Sequence, residues 1–152
     1  MSVVILYGTE TGNSELVADA IADVLAADHD PSIYDMSEFA VEDLDAEDFL
    51  VVICSTYGEG ELPTGAEPFA DELDENEPDL AGLRFAVFGL GDTVYGETYN
   101  RGGEIMAEKL TKYGATQVGE HARHDNSSPI KPSTQATEWA TELIKVIDPV
   151  NA

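Results

Sequence analysis

A chain of 152 residues with 31 acidic and 7 basic side chains carries a formal net charge of −24, which rules out a grip on nucleic acid or on an anionic membrane surface. Its 43% apolar content suits one folded domain with a sizeable core, and no apolar run approaches the roughly 18 residues of a bilayer span. A single cysteine excludes an internal disulfide. With no signal-peptide pattern before the first strand, this points to a reducing cytoplasm.

Strand and helix patterns alternate along the chain. The apolar run Val3–Tyr7 predicts a first strand. A turn rich in hydroxyls and glycine follows. It leads into a helix near Asn13–Ala27, with Leu16, Val17, Ala20, Ile21, Val24 and Leu25 on one stripe. A short second strand is expected near Ser32–Met36, and the acidic connection Glu38–Asp48 has room for one weak helical turn. Phe49–Ser55 is a continuous, largely β-branched run, as a strand buried on both faces requires. Cys54 within it reads as a small buried hydrophobe.

After a turn-rich loop, Thr56–Gly65, the next helix presents Ala66, Phe69, Ala70 and Leu73. The fourth strand is Arg84–Leu90. A helix near Gly103–Tyr113 turns Ile105, Met106 and Leu110 inward, with Gly114 as its stop. A fifth strand is expected near Gln117–Ala122. The last helix carries Trp139, Leu143, Ile144 and Ile147 on its face. Repeated β-α units imply an α/β fold, a doubly wound parallel sheet with helices on both faces, spanning residues 1–152 as one domain.

Ligands of such sheets bind outside the carboxyl ends of the strands. Three loops at those ends have unusual composition. Thr9-Glu10-Thr11-Gly12-Asn13-Ser14 offers hydroxyls and a helix start, where unpaired N–H groups and the helix dipole favour a phosphate. Ser55–Pro63 and Gly89–Asn100 each set glycines around an aromatic, Tyr57 and Tyr95. Two such rings at one sheet edge can sandwich a flat heterocycle. Phosphate and planar ring together describe a mononucleotide.

Other phosphate-binding classes fit less well. A Walker loop places lysine where Asn13 stands, and positions 8–13 do not follow the dinucleotide pattern Gly-x-Gly-x-x-Gly. A receiver domain needs acidic residues after its first strand and a lysine after its fifth, which Tyr7-Gly8-Thr9 and Ala122-Arg123-His124 lack. His29, His121 and His124 match neither a metal-ligand nor a triad spacing and are assigned to the surface.

The motifs Thr-Glu-Thr-Gly-Asn-Ser, Ser-Thr-Tyr-Gly-Glu-Gly and Phe-Gly-Leu-Gly-Asp-x-x-Tyr, in this order and spacing, resemble those of flavodoxin-like FMN-binding domains. The likeness is greatest to the FMN domains of cytochrome P450 reductase, sulfite reductase flavoprotein and nitric oxide synthase, and to standalone MioC-type flavodoxins. The resemblance implies a five-stranded sheet of order 2-1-3-4-5 and non-covalent FMN. It implies that Thr9, Glu10, Thr11, Gly12, Asn13 and Ser14 hold the FMN phosphate, Glu10 through its backbone with the carboxylate turned away. Tyr57 and Tyr95 would flank the isoalloxazine. Ser55, Thr56, Gly58, Gly60, Leu90, Gly91, Asp92, Tyr99, Asn100 and Asp125 would line its edges. The stretch from Tyr95 to Asn100 is one residue longer than in the reductases.

The implied function is a one-electron carrier, not itself an enzyme. It would take electrons from a separate flavin or iron–sulfur reductase and pass them to a redox-protein acceptor, as a monomer. The alternative is an FMN-dependent two-electron quinone or nitro reductase, which wants an open pocket over the ring. A flavin-free binding module is a third reading. The acidity itself has two explanations, a docking face for a basic partner or adaptation to concentrated salt. The scatter of carboxylates over most helices and loops favours salt adaptation, and at about 1 M salt the Debye length of about 3 Å leaves little long-range steering.

Overall fold

The computed structural model describes residues 3–8, 13–26, 31–44, 48–55, 66–91, 101–118, 122–125 and 131–147. In chain order the elements are β1 (Val3–Gly8), α1 (Asn13–Leu25), β2 (Ser32–Asp35), a 3-10 turn (Val41–Asp43), β3 (Phe49–Ser55), α2 (Glu67–Asn76), β4 (Arg84–Gly91), α3 (Arg101–Lys112), β5 (Thr116–Gln117), β6 (Ala122–Asp125) and α4 (Pro132–Ile147). The strands form one parallel sheet in the order β2-β1-β3-β4-β5, with β6 also paired to β4. This is the doubly wound order expected from the resemblance. The weak turn expected in the acidic connection is the 3-10 segment, held by the Val41 N–H donating to Glu72 Oε1 at 3.0 Å.

The central strands separate two apolar layers, because alternate side chains leave a strand on opposite faces. Ile5, Val51, Ile53, Ala86, Phe88 and Leu90 meet Val17, Ile21 and Leu25 of α1 and Trp139, Ala140 and Leu143 of α4. Leu6, Leu50, Val52, Cys54, Phe85 and Val87 meet Phe69, Ala70 and Leu73 of α2 and Met106 and Leu110 of α3. Every side chain of β3 from Phe49 to Cys54 is buried, as its unbroken apolar run requires.

Three expectations need correction. Leu16 is 60% exposed. The buried stripe of α1 runs through Val17, Ala18, Ile21 and Leu25, and Leu16 sits beyond its edge on the side of half-buried Ala20 and Val24. His124 is buried at 2% exposure rather than on the surface, sharing the inward face of β6 with Ala122. His29 and His121 lie outside the described residues.

The third correction concerns the fifth strand, which is split. Thr116 and Gln117 pair with Arg84 and Phe85, while Ala122 to Asp125 pair with Phe88 to Gly91. Three steps from Phe85 to Phe88 therefore face five from Gln117 to Ala122. Two extra residues enter this side of the ladder, so no single strand covers Gln117–Ala122. The Val118 N–H still donates to the Phe85 carbonyl at 2.8 Å before the register changes. Gly114 ends α3 as expected: φ is +111°, and the Ala115 N–H donates to the Leu110 carbonyl at 3.1 Å.

Candidate functional site

The carboxyl ends of the parallel strands come out side by side. Gly8 is paired with Cys54, Cys54 with Gly89, Ser55 with Leu90 and Gly91 with Asp125. The two loops richest in glycine and tyrosine thus begin at neighbouring points, one after Ser55 and one after Gly91. The hydroxyl-rich loop begins after Gly8. The chain leaves β1 toward β2 on one side and β3 lies on the other, so the switch point of the sheet falls at this edge.

Of the expected contact residues, the structure brings Ser55, Leu90, Gly91 and Asp125 to this edge as the last residues of β3, β4 and β6. Leu90 is buried at 2% exposure and its side chain belongs to the apolar layer under the edge. Any contact it makes with a ligand is therefore through its backbone. Asn13 and Ser14 open α1, placing a helix N-terminus at the same edge. Thr9, Glu10, Thr11, Gly12, Thr56, Tyr57, Gly58, Gly60, Asp92, Tyr95, Tyr99 and Asn100 lie outside the described residues.

Charge near the first loop is negative. The Tyr7 phenol is pushed above its usual range, first by burial and then by Glu15, Asp35, Glu38 and Asp19. The first basic residue in the sequence is Arg84. The start of α1 brings backbone N–H groups, neutral donors suited to a phosphate, to this edge. This donor set fits the monoester phosphate of FMN. Among the described residues no cluster of metal ligands exists and no helix is long and apolar enough to cross a membrane.

Two features escape a reading of the sequence. Gly8 closes β1 with its α-carbon pressed against Ala66, so a methyl group built on Gly8 would lie 2.6 Å from the Ala66 β-carbon and 3.0 Å from Met36 Sδ. His124 is buried opposite Leu90, directly behind the edge. A glycine at the end of a largely buried strand is the one signal that hints at the Gly8 contact. For His124 the signal is its place two residues after Ala122, on the same face of a strand.

Residues 5–139 match the family model for flavodoxin. NADPH–cytochrome P450 reductase of Rattus norvegicus is 32% identical over 138 residues, covering 86% of this chain and 20% of the reductase. The chain thus spans about a fifth of the length of that relative. Flavodoxin of Synechocystis sp. is 35% identical over 116 residues, covering 76% of this chain and 67% of that protein. The structure of oxidised flavodoxin 2 from Bacillus cereus superposes with a TM-score of 0.84 at 33% identity, covering 96% of this chain and 99% of the other. A matching family model, a doubly wound sheet of order 2-1-3-4-5 and a close structural likeness make the same assignment: this chain belongs to the flavodoxin family.

Proposed function

We propose that the chain is a flavodoxin-type electron carrier. It binds FMN non-covalently at the carboxyl edge of its sheet and shuttles single electrons between separate redox proteins. The observation that carries this reading is the register of that edge. Gly8, Ser55, Gly91 and Asp125 launch or flank the loops bearing the three FMN-type motifs, and they do so from neighbouring strands of one sheet whose central strand is buried from Phe49 to Cys54. The whole of residues 1–152 serves as the FMN domain, monomeric and cytoplasmic.

FMN, when bound, supplies the redox chemistry, and the protein supplies binding and tuning. Thr9, Thr11, Gly12, Asn13 and Ser14 grip the phosphate, with Glu10 donating through its backbone. Tyr57 and Tyr95 cover the two faces of the ring and keep bulk solvent from it. Ser55, Thr56, Gly58, Gly60, Leu90, Gly91, Asp92, Tyr99, Asn100 and Asp125 meet its edges, and Gly58 has the backbone freedom to reorient its carbonyl beside the ring. Coverage of both ring faces leaves no room for an organic substrate, which separates this reading from a two-electron quinone or nitro reductase.

The potential is set locally. One carboxylate about 10 Å away disfavours added negative charge by roughly 1.7 kcal/mol at an effective dielectric of 20. Salt screens exposed carboxylates at that range, whereas stacking and edge hydrogen bonds persist. The acidic surface is an adaptation to concentrated salt, and the donor is a separate flavin or iron–sulfur reductase.

The deciding experiment is an FMN titration of the purified apoprotein followed by anaerobic potentiometry. Tight binding with two resolved one-electron steps is the expected result. A single two-electron step favours the reductase, and failure to bind FMN overturns the proposal. Repeating the potentiometry from low to multimolar salt tests the local origin of the potential, which a large continuous shift contradicts.

A further inference from the structure

We infer that Gly8 and Ala66 form a clamp that fixes the spacing between the phosphate-holding loop and the first ring-covering loop, an inference that rests on the FMN reading above. Gly8 is the residue before Thr9, and Ala66 is the residue after the loop Thr56–Gly65. By the alternation of β1, Gly8 faces the same side as Leu6, where Ala66 and Met36 lie fully buried. A methyl on Gly8 would stand 2.6 Å from the Ala66 β-carbon and 3.2 Å from its α-carbon. Met36 Sδ, at 3.0 Å, is the end of a flexible side chain and can yield. The Ala66 β-carbon is bonded directly to the backbone at the start of α2 and has no torsion by which to yield.

The identity of residue 66 points the same way. It is the N-cap of α2, a position that favours Ser, Thr, Asp or Asn, yet it is an alanine with no side-chain cap. Ala66 is fully buried, and its β-carbon faces Gly8. The sequence gives up a helix cap and keeps a close contact between the end of one site loop and the start of another.

FMN must reach both loops at once, its phosphate in one and its ring in the other. Two linked contacts reinforce each other only when their separation is held. A clamp therefore matters more for FMN than for riboflavin, which lacks the phosphate.

The test measures FMN and riboflavin affinities by quenching of flavin fluorescence in wild type, Gly8→Ala, Ala66→Gly and the double variant. Overpacking in Gly8→Ala is expected to weaken FMN about tenfold or more and riboflavin less than about threefold. Ala66→Gly loosens the contact and lowers the FMN-to-riboflavin preference about threefold or more. The double variant moves the methyl across the contact, leaving the 3.0 Å approach to the flexible Met36 Sδ and the 3.2 Å approach to the Ala66 α-carbon to relax, and returns the preference to within about threefold of wild type.

Parallel loss of both flavins overturns the clamp, because that is what general destabilisation gives. An unchanged preference in either single variant, or no restoration in the double, overturns it too. Should Gly8→Ala fail to fold, Ala66→Gly alone decides. A wild type that binds neither flavin, or binds both equally, instead overturns the reading of the site.

Discussion

The indole of Trp139 meets the ring of Phe88 edge-on, with centroids 5.5 Å apart and planes at 69°. The contact joins α4 to the middle of the sheet beneath the site edge. Trp139 is the chain's one tryptophan and is 8% exposed. Trp139→Ala removes both area and a favourable ring geometry, and is expected to destabilise the fold by about 3–5 kcal/mol in urea denaturation. A cost under about 1 kcal/mol contradicts this packing. Trp139→Phe keeps the ring contact and costs less.

Burial pushes the Cys54 thiol up from 9.0 to about 12. The raised value means the fold prefers the neutral thiol. Its contribution is complete below the unfolded value near 9.0 and is lost as pH rises from there toward about 12. Stability is therefore expected to fall across that window more steeply in the native sequence than in Cys54→Val. At pH 8 a disulfide exchange reagent modifies the thiol only as fast as the protein unfolds. Rapid labelling of native protein runs against this burial.

Asp74 of α2 accepts hydrogen bonds from Lys109 and from Tyr113 Oη across to α3. These bonds, with Lys109 the larger influence, hold the Asp74 carboxyl below its usual range. A lowered value stabilises above the unfolded carboxylate range and is lost as pH falls through the folded value. The pair is on the surface, so salt screens it. Lys109→Met is expected to lower the melting temperature slightly at low salt and neutral pH, with the difference vanishing in multimolar salt or in acid. A difference that grows with salt refutes the electrostatic account.

Neutral donors at the first loop give opposite expectations for adjacent residues. Thr11→Ala removes a hydroxyl donor and is expected to weaken FMN by about 1–2 kcal/mol, or roughly five- to thirtyfold. Glu10→Gln leaves the affinity nearly unchanged, because the backbone is what Glu10 offers. Much tighter binding by Glu10→Gln means that its carboxylate faces the phosphate.

The central sheet was legible because burial writes itself into composition. Phe49 to Cys54 and Phe85 to Phe88 are apolar at nearly every position, and buried strands leave no other choice. Periodicity served less well at edges. Leu16 is an apolar residue on the fringe of a stripe, and a helical wheel cannot say how wide the neighbouring surface is. The split of the fifth strand depends on how Gln117 and Ala122 register against β4, a relation between distant segments that no local pattern records. His124 misled because a polar residue is ordinarily a surface one. At the site, motif order named the loops, and the structure contributes the edge from which they spring. The contact of Gly8 with Ala66 joins residues far apart in the chain, so it was hidden until the fold placed them together.

The brevity of the outer strands has a further consequence. One margin of the sheet is β2, only 4 residues long, and the other is divided between a 2-residue and a 4-residue segment of different register. Among the described residues, neither offers a long ladder of N–H and C=O groups to a second molecule. Mutual repulsion from a charge of −24 keeps copies apart in dilute buffer, but it fades within about 3 Å in molar salt. Short margins do not fade, so the resistance to strand-by-strand aggregation that they give persists at salt concentrations where charge no longer provides it.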